Sequence, residues 1–179
     1  MPHLNVEIKA RCHNPQTVRD ILCARHADFR GTDHQIDTYF KVTRGRLKLR
    51  EGNIENALIY YEREDQEGPK QSSVTLVPAT PGSPLKTLLT QVLEILTVVE
   101  KRRDIYFIDN VKFHLDEVEG LGTFVEIEAI DYGGTIGSER LLAQCHTFLS
   151  LFNVQPDQLV SASYSDLLLR RTNLVANSQ

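Results

Sequence analysis

Charged side chains recur at every second position in several segments of this chain, with apolar residues between them. Lys48 and Arg50 alternate with leucines, and Glu126 and Glu128 flank Ile127 in the same way. Residues two apart on a β-strand point to the same face of the sheet. Each segment therefore presents a charged face and an apolar face. The residues on charged faces are Glu7, Lys9, Arg46, Lys48, Arg50, Arg63, Lys101, Arg103, Lys112, His114, Asp116, Glu126 and Glu128.

Such a set of residues can bind a polyanion together with a metal ion. Lysine and arginine bind phosphate oxygens, and carboxylates are the hard oxygen ligands that Mg²⁺ and Mn²⁺ prefer. If the strands close into a barrel, the charged faces converge in its interior. A bare interior of this kind is electrostatically costly, so it is expected to hold water, a polyanion and a divalent cation. The alternative is that each charged face is an ordinary solvated face of a sheet.

The elements that must position these residues are mostly strands. Alternation predicts eight of them, and helical spacing with capping signals such as Asn14-Pro15 predicts four helices. This order predicts an α+β fold, as one domain over residues 1–171 with a flexible tail at 172–179. The predicted strands are 4–12, 37–42, 46–50, 57–63, 72–77, 97–108, 111–118 and 123–130. The predicted helices are 15–27, 84–96, 138–152 and 161–171.

Composition excludes several classes of protein. The 179 residues include 20 Lys and Arg against 24 Asp and Glu, a net charge of −4 that gives no reason to expect nucleic acid as a partner. No apolar run approaches the roughly 18–20 residues that cross a bilayer, and no secretory signal is visible, so no membrane partner is expected. Three cysteines without a CxxC pattern indicate reduced thiols in a cytoplasmic protein.

Six segments, in order along residues 5–168, resemble the CYTH family, which joins class IV adenylyl cyclases with thiamine triphosphatases and related inorganic triphosphatases. Asn5–Lys9 resembles the family's ExExK signature, with Asn5 in the place of the first glutamate. The C-terminal segment Ser163–Leu168 resembles cyclase-like members. The other matching segments are Gln35–Phe40, Leu47–Glu51, Lys101–Tyr106 and Leu115–Glu128.

The resemblance implies an antiparallel eight-stranded barrel, called the triphosphate tunnel, with helices packed outside. It also implies a required Mg²⁺ or Mn²⁺ and a small triphosphate substrate: ATP, tripolyphosphate or thiamine triphosphate. Carried over by position, the implied metal ligands are Glu7, Asp116, Glu126 and Glu128. The implied phosphate-binding residues are Lys9, Lys48, Arg50, Arg63, Lys101 and Arg103. The implied catalytic residues are Glu7, Lys9, Arg103 and Glu128.

Three functions follow from this resemblance. The match to the cyclase-like branch ranks an adenylyl cyclase first, converting ATP to cyclic AMP and pyrophosphate. A triphosphatase is the alternative, because no residue identified in the sequence serves only one of the two reactions. A non-catalytic sensor of triphosphate or polyphosphate is third, and Asn5 favours it because an amide brings no negative charge to a metal. The oligomeric state is left open, with a homodimer as one option.

Overall fold

The computed structural model describes residues 3–62 and 70–176 of the chain. Over these residues the chain forms eight β-strands, four α-helices and one short 3₁₀ helix, Pro156–Gln158. The strands are β1 (His3–Arg11), β2 (Asp28–Phe40), β3 (Arg46–Glu51), β4 (Ala57–Glu62), β5 (Lys70–Pro78), β6 (Ile95–Ile108), β7 (Val111–Val118) and β8 (Gly122–Asp131). The helices are α1 (Pro15–Ala24), α2 (Leu85–Val92), α3 (Ser138–Leu151) and α4 (Tyr164–Ala176).

The strands close into one antiparallel barrel in the order β1-β5-β4-β3-β2-β6-β7-β8. The first strand closes the ring because it pairs on one side with β5 and on the other with β8. Glu7 lies opposite Glu128 in the second of these pairs, and Lys9 lies opposite Glu126. Closure leaves no open sheet edge. The α+β class and the eight-stranded tunnel fold that the sequence predicts are therefore confirmed.

The main apolar core lies outside the barrel, between its wall and the helices. Val6 and Ile8 of β1 point outward and pack in one buried cluster with Leu141 and Cys145 of α3. Leu22 of α1 joins the same cluster. Because side chains alternate along each strand, packing the apolar residues against the helices directs the residues between them into the barrel. The outer core thus fixes which residues face the interior.

The second strand is longer than the sequence indicates. It begins at Asp28 rather than Asp37, and α1 ends earlier, at Ala24. The sequence does not reveal the first half of this strand, because the polar residues Asp33 and Gln35 are fully buried inside the barrel. Gly31 has a positive φ of 118° at a shift in the pairing with β6, which also breaks the alternation.

Two other boundaries differ from those predicted. Helix α2 ends at Val92 rather than near residue 96, because Leu93 has an extended backbone and β6 starts at Ile95. Helix α4 continues to Ala176, through the described part of the segment predicted as a tail. The short loop 52–56 between β3 and β4 is held by Asp33, whose carboxylate accepts from the backbone N–H groups of Ile54 and Glu55 at 2.9 Å each.

Candidate functional site

The barrel encloses a cavity of about 430 Å³, and charged side chains of β1, β3, β6, β7 and β8 reach it together. These residues share the inward parity of the closed sheet. Of the ten predicted site residues, eight line the cavity: Glu7, Lys9, Lys48, Arg50, Lys101, Arg103, Glu126 and Glu128. These eight residues therefore lie close together, and their roles in binding stay predictions. Arg63 lies outside the described residues.

Asp37 of β2 gathers three of the cations. Its carboxylate accepts from Lys101 Nζ at 2.8 Å and from Lys48 Nζ at 2.9 Å. Arg50 donates to both oxygens, from Nε at 2.9 Å and from Nη2 at 3.0 Å. Burial opposes ionisation of Asp37, but the three cations hold the pKa of this carboxyl well below its usual range. One carboxylate facing three cations leaves a local excess of positive charge.

That excess acts on Lys101, which is 2% exposed. Burial lowers the pKa of this ammonium to about 7, and the charges of Arg50 and Arg103 add to the effect against the attraction of Asp37. Lys101 therefore exchanges its proton near neutral pH, whereas an exposed lysine does so near pH 10.4.

A second group of ion pairs is centred on Arg103. Its guanidinium donates from Nε and Nη2 to the two oxygens of Asp116, at 2.6 and 2.5 Å, and from Nη2 to Glu126 at 2.8 Å. Tyr164, the first residue of α4, donates its hydroxyl to Asp116 at 2.7 Å. Asp116 is fully engaged behind the arginine and is not among the residues that line the cavity. In this arrangement it positions Arg103, and its predicted metal contact has no support from the geometry.

Glu126 also faces Lys9 and His114. Lys9 Nζ lies 3.0 Å from Glu126 Oε1 and 3.9 Å from the centre of the Tyr164 ring. His114 Nδ1 lies 3.1 Å from Glu126 Oε2. Burial, together with Arg103 and Lys112, lowers the pKa of His114 to about 4, so the ring is neutral at pH 7. A neutral ring carries one proton, which we assign to Nδ1 because this nitrogen faces the carboxylate.

Glu7, Glu128 and Asn5 form an oxygen-rich patch where β1 meets β8. Asn5 Nδ2 donates to Glu128 Oε1 at 2.6 Å, which leaves the buried Asn5 Oδ1 without a hydrogen-bond partner among the described residues. Within residues 3–62 and 70–176 no group of three His, Cys, Asp or Glu is arranged to hold a metal ion alone. Mg²⁺ is usually bound by one or two carboxylates plus substrate phosphates and water, and this patch fits that pattern.

Sequence reasoning missed Glu55. Its carboxylate accepts from Arg50 Nη1 at 2.9 Å and from Gln35 Nε2 at 3.1 Å, and it forms a short ion pair with Lys112. It lies in the loop 52–56, where no strand alternation marks an inward residue. Lys112, identified from alternation alone, does line the cavity, whereas Arg46 pairs with Asp166 of α4 at 2.7 Å and does not.

A comparison with models of protein families identifies the family of this chain. The model of the CYTH domain matches residues 3–149, which is most of the chain. The chain belongs to the CYTH family. No curated protein matches it.

Solved structures with the same fold come from several organisms. A Pyrococcus horikoshii protein is 22% identical, with a TM-score of 0.76, covering 91% of this chain and 98% of the other. A protein named as a candidate adenylate cyclase from Vibrio parahaemolyticus is 18% identical, with a TM-score of 0.73 and coverages of 94% and 99%. A further one, from Hippeastrum, is 18% identical, with a TM-score of 0.61 and coverages of 94% and 96%. Among the described residues of the CYTH chain, no helix is both long and apolar enough to span a membrane.

The lowered pKa of Lys101 predicts that the CYTH tunnel takes up a proton when a polyanion binds. Above pH 7 the free protein carries Lys101 mostly neutral, and a bound polyanion favours the charged form and raises its pKa. We expect uptake of up to about one proton per tripolyphosphate at pH 8, and almost none from this group at pH 5.5, where it is already charged. Calorimetry in buffers of different ionisation enthalpy measures this number.

Lys101→Arg is the control for that measurement, because arginine keeps its proton throughout this pH range. Any proton exchanged by the ligand itself appears in both proteins and cancels. Equal proton uptake by the wild type and the arginine variant at pH 8 would show that Lys101 is already charged in the free tunnel.

Proposed function

We propose that this CYTH protein is a divalent-metal-dependent enzyme that acts on a triphosphate-bearing substrate inside the barrel. The proposal rests on the cations that point into one cavity together with the carboxylates of Glu7 and Glu128. These cations are Lys9, Lys48, Arg50, Lys101 and Arg103. A cavity of about 430 Å³ falls within the range of about 300–1,000 Å³ that is typical of small-molecule sites. Catalysis of phosphoryl chemistry depends mainly on placing such charges around the phosphates.

Charge balance supports the need for metal. Six lysines and arginines line the cavity, and the carboxylates that line it or pair with those cations are also six. A triphosphate adds about three to four negative charges, which the described residues do not neutralise. A divalent cation, when bound, would offset part of this charge and polarise the phosphoryl oxygens. Glu7, Glu128 and the amide oxygen of Asn5 would hold it, and Lys48, Arg50 and Lys101 would bind phosphate oxygens.

The remaining wall of the cavity supports a substrate with an organic group. Ile59 of β4 and Val74 and Leu76 of β5 line it without any charge. We therefore rank an adenylyl cyclase first, as the cyclase-like sequence segments also indicate. In that reaction the 3′-hydroxyl of ATP bonds to the α-phosphorus, the bond from that phosphorus to the bridging oxygen breaks, and pyrophosphate leaves. The hydroxyl proton is released to solvent or to a nearby base.

A triphosphatase is the second candidate, and one comparison favours it. The Hippeastrum structure is of a protein named as a candidate adenylyl cyclase and described as having a dominant triphosphatase activity. In this reaction water adds to the terminal phosphorus, orthophosphate is formed, and the diphosphate product leaves. The same cations and carboxylates serve both reactions. A non-catalytic sensor is the third function, in which binding occurs without either reaction.

A product assay distinguishes the three functions. The protein is incubated with ATP, tripolyphosphate or thiamine triphosphate and with Mg²⁺ or Mn²⁺, and the products are separated. Cyclic AMP with pyrophosphate identifies the cyclase, and orthophosphate without cyclic AMP identifies the triphosphatase. Metal-dependent binding without turnover identifies the sensor. Neither binding nor turnover with all three substrates would overturn the proposal as a whole.

A further inference from the structure

The Glu55 carboxylate pairs with two of the cations that line the cavity. One of its oxygens pairs with Lys112 of β7, and the other accepts from Arg50 of β3 at 2.9 Å and from Gln35 of β2 at 3.1 Å. Three donors on three strands thus converge on one small anion. Planar carboxylates and phosphoryl groups are bound by the same arginine and lysine geometry. Glu55 thus fills a position in the cavity at which a phosphoryl group could accept from the same donors.

The loop that carries Glu55 is built to keep it there. Asp33, fully buried, accepts the Glu55 and Ile54 backbone N–H groups at 2.9 Å each. Asn56 exchanges hydrogen bonds with Gly52, at 3.1 Å from the glycine N–H and at 2.8 Å to its carbonyl. A Cβ at Gly52 would lie 2.7 Å from both Asp33 oxygens, so this approach requires glycine. Because the loop is already ordered, Glu55 binds its cations with little further loss of entropy.

We propose that Glu55 is a specificity-determining residue that competes with the substrate for Arg50 and Lys112. A ligand reaches these two cations only by displacing the carboxylate. A triphosphate, which has further partners in its metal, Lys48 and Lys101, loses a smaller part of its binding to that competition than orthophosphate does. Glu55 thereby selects triphosphates over the smaller phosphates that leave as products. The inference rests on the proposed function, since it assigns this competition to the same triphosphate site.

The electrostatics of Glu55 agree with this geometry. Burial alone would favour its neutral form, but Lys112 and Arg50 hold the pKa of the carboxyl far below its usual range. Glu55 therefore stays charged near neutral pH, and protonation does not release the two cations there. Only another anion, or a movement of the side chain, can do so. About a quarter of the Glu55 side chain is exposed, so it has open space into which to move.

Calorimetric titration of wild type, Glu55→Gln and Glu94→Gln with Mg²⁺-tripolyphosphate and with orthophosphate tests the proposal. The amide keeps the size of the side chain and removes its charge. Glu94 is an exposed glutamate paired with Lys41 at 3.1 Å, away from the cavity, and controls for the loss of one negative charge. We expect Glu55→Gln to bind tripolyphosphate about ten-fold tighter or more, corresponding to about 1.4 kcal/mol. Orthophosphate should gain by a larger factor, and equal gains for the two ligands would overturn the role of Glu55 in specificity. Glu94→Gln should match wild type.

The outcomes separate this inference from the function on which it rests. If wild type binds tripolyphosphate and Glu55→Gln binds it equally or more weakly, Glu55 does not compete and the proposal is overturned while the function stands. If no protein in the series binds tripolyphosphate, the proposed function fails and takes the inference with it. Glu55→Ala, with the same expected tightening, replaces Glu55→Gln if the amide variant does not fold.

Discussion

Replacement of Arg103 by methionine is expected to abolish tripolyphosphate binding and to lower the free energy of unfolding by roughly 3–5 kcal/mol. The guanidinium is 3% exposed and pairs with two carboxylates at once, Asp116 at 2.5–2.6 Å and Glu126 at 2.8 Å. Without it, Asp116 loses this cation and Glu126 keeps Lys9, so an uncompensated negative charge remains in the interior of the barrel where a polyanion would have to enter. The loss of stability and the loss of binding therefore have one cause.

A double variant separates the two effects. Arg103→Met/Asp116→Asn removes the buried carboxylate along with its partner, so denaturant unfolding should show part of the stability restored, while calorimetry should still show no tripolyphosphate binding. Arg102→Met is the matched control, because Arg102 is the next residue on β6 and is exposed on the outer face. Wild-type binding by Arg103→Met would show that Arg103 is not needed to bind the phosphates.

The second large effect is expected at Glu128, where Glu128→Gln should lower Mg²⁺-dependent turnover by roughly 100-fold or more. Glu128 lies opposite Glu7 in the pairing of β1 with β8 and accepts from Asn5 Nδ2 at 2.6 Å. With a glutamine there, the patch keeps its shape and holds a single full carboxylate, so a divalent cation loses half of its charged protein ligands. The folded protein should be little affected, because the side chain is only half-buried.

Turnover and thermal unfolding with and without Mg²⁺ and tripolyphosphate measure this effect. In wild type the metal and ligand together should raise the unfolding temperature, and in Glu128→Gln the contribution of the metal should disappear. Glu117→Gln, an exposed glutamate on β7, is the control. Metal-dependent turnover within a few-fold of wild type in Glu128→Gln would exclude Glu128 from the metal site.

Strand alternation predicted those parts of the molecule that depend on neighbours in sequence. The bounds of Val111–Val118 were predicted correctly, because apolar and polar residues alternate from Val111 to Asp116 and a tight turn precedes the strand. The same local periodicity identified Lys48, Arg50 and Glu128 as residues on one face of their strands. Alternation did not predict that these faces converge. It shows which residues share a face of a strand, but it does not show what that face contacts. Here the resemblance to the CYTH family supplied the closed barrel.

The positions that the sequence pattern did not account for depend on contacts between distant segments. Asp33 and Gln35 are buried polar residues whose partners lie in the loop 52–56, and the first half of β2 was therefore not predicted as a strand. Asp116 stays a predicted metal ligand, and in the structure its two oxygens accept hydrogen bonds from Arg103 and from Tyr164 of α4. Glu55 carries no periodic signal at all. Each of these positions is set by hydrogen bonds that a pattern of nearby residues does not encode.

The closure of the ring by β1 has a consequence for how the chain is made. Leu4 pairs with Asp131, so the barrel strand that is synthesised first must wait for the barrel strand synthesised last before its second edge is covered. At roughly 5–20 residues per second, β8 follows β1 by about 6 s or more. During that interval β1 can pair with β5 but exposes an open edge with one apolar face. This topology therefore predicts aggregation of nascent chains through β1. It also predicts slow final folding, because the barrel is rich in long-range contacts.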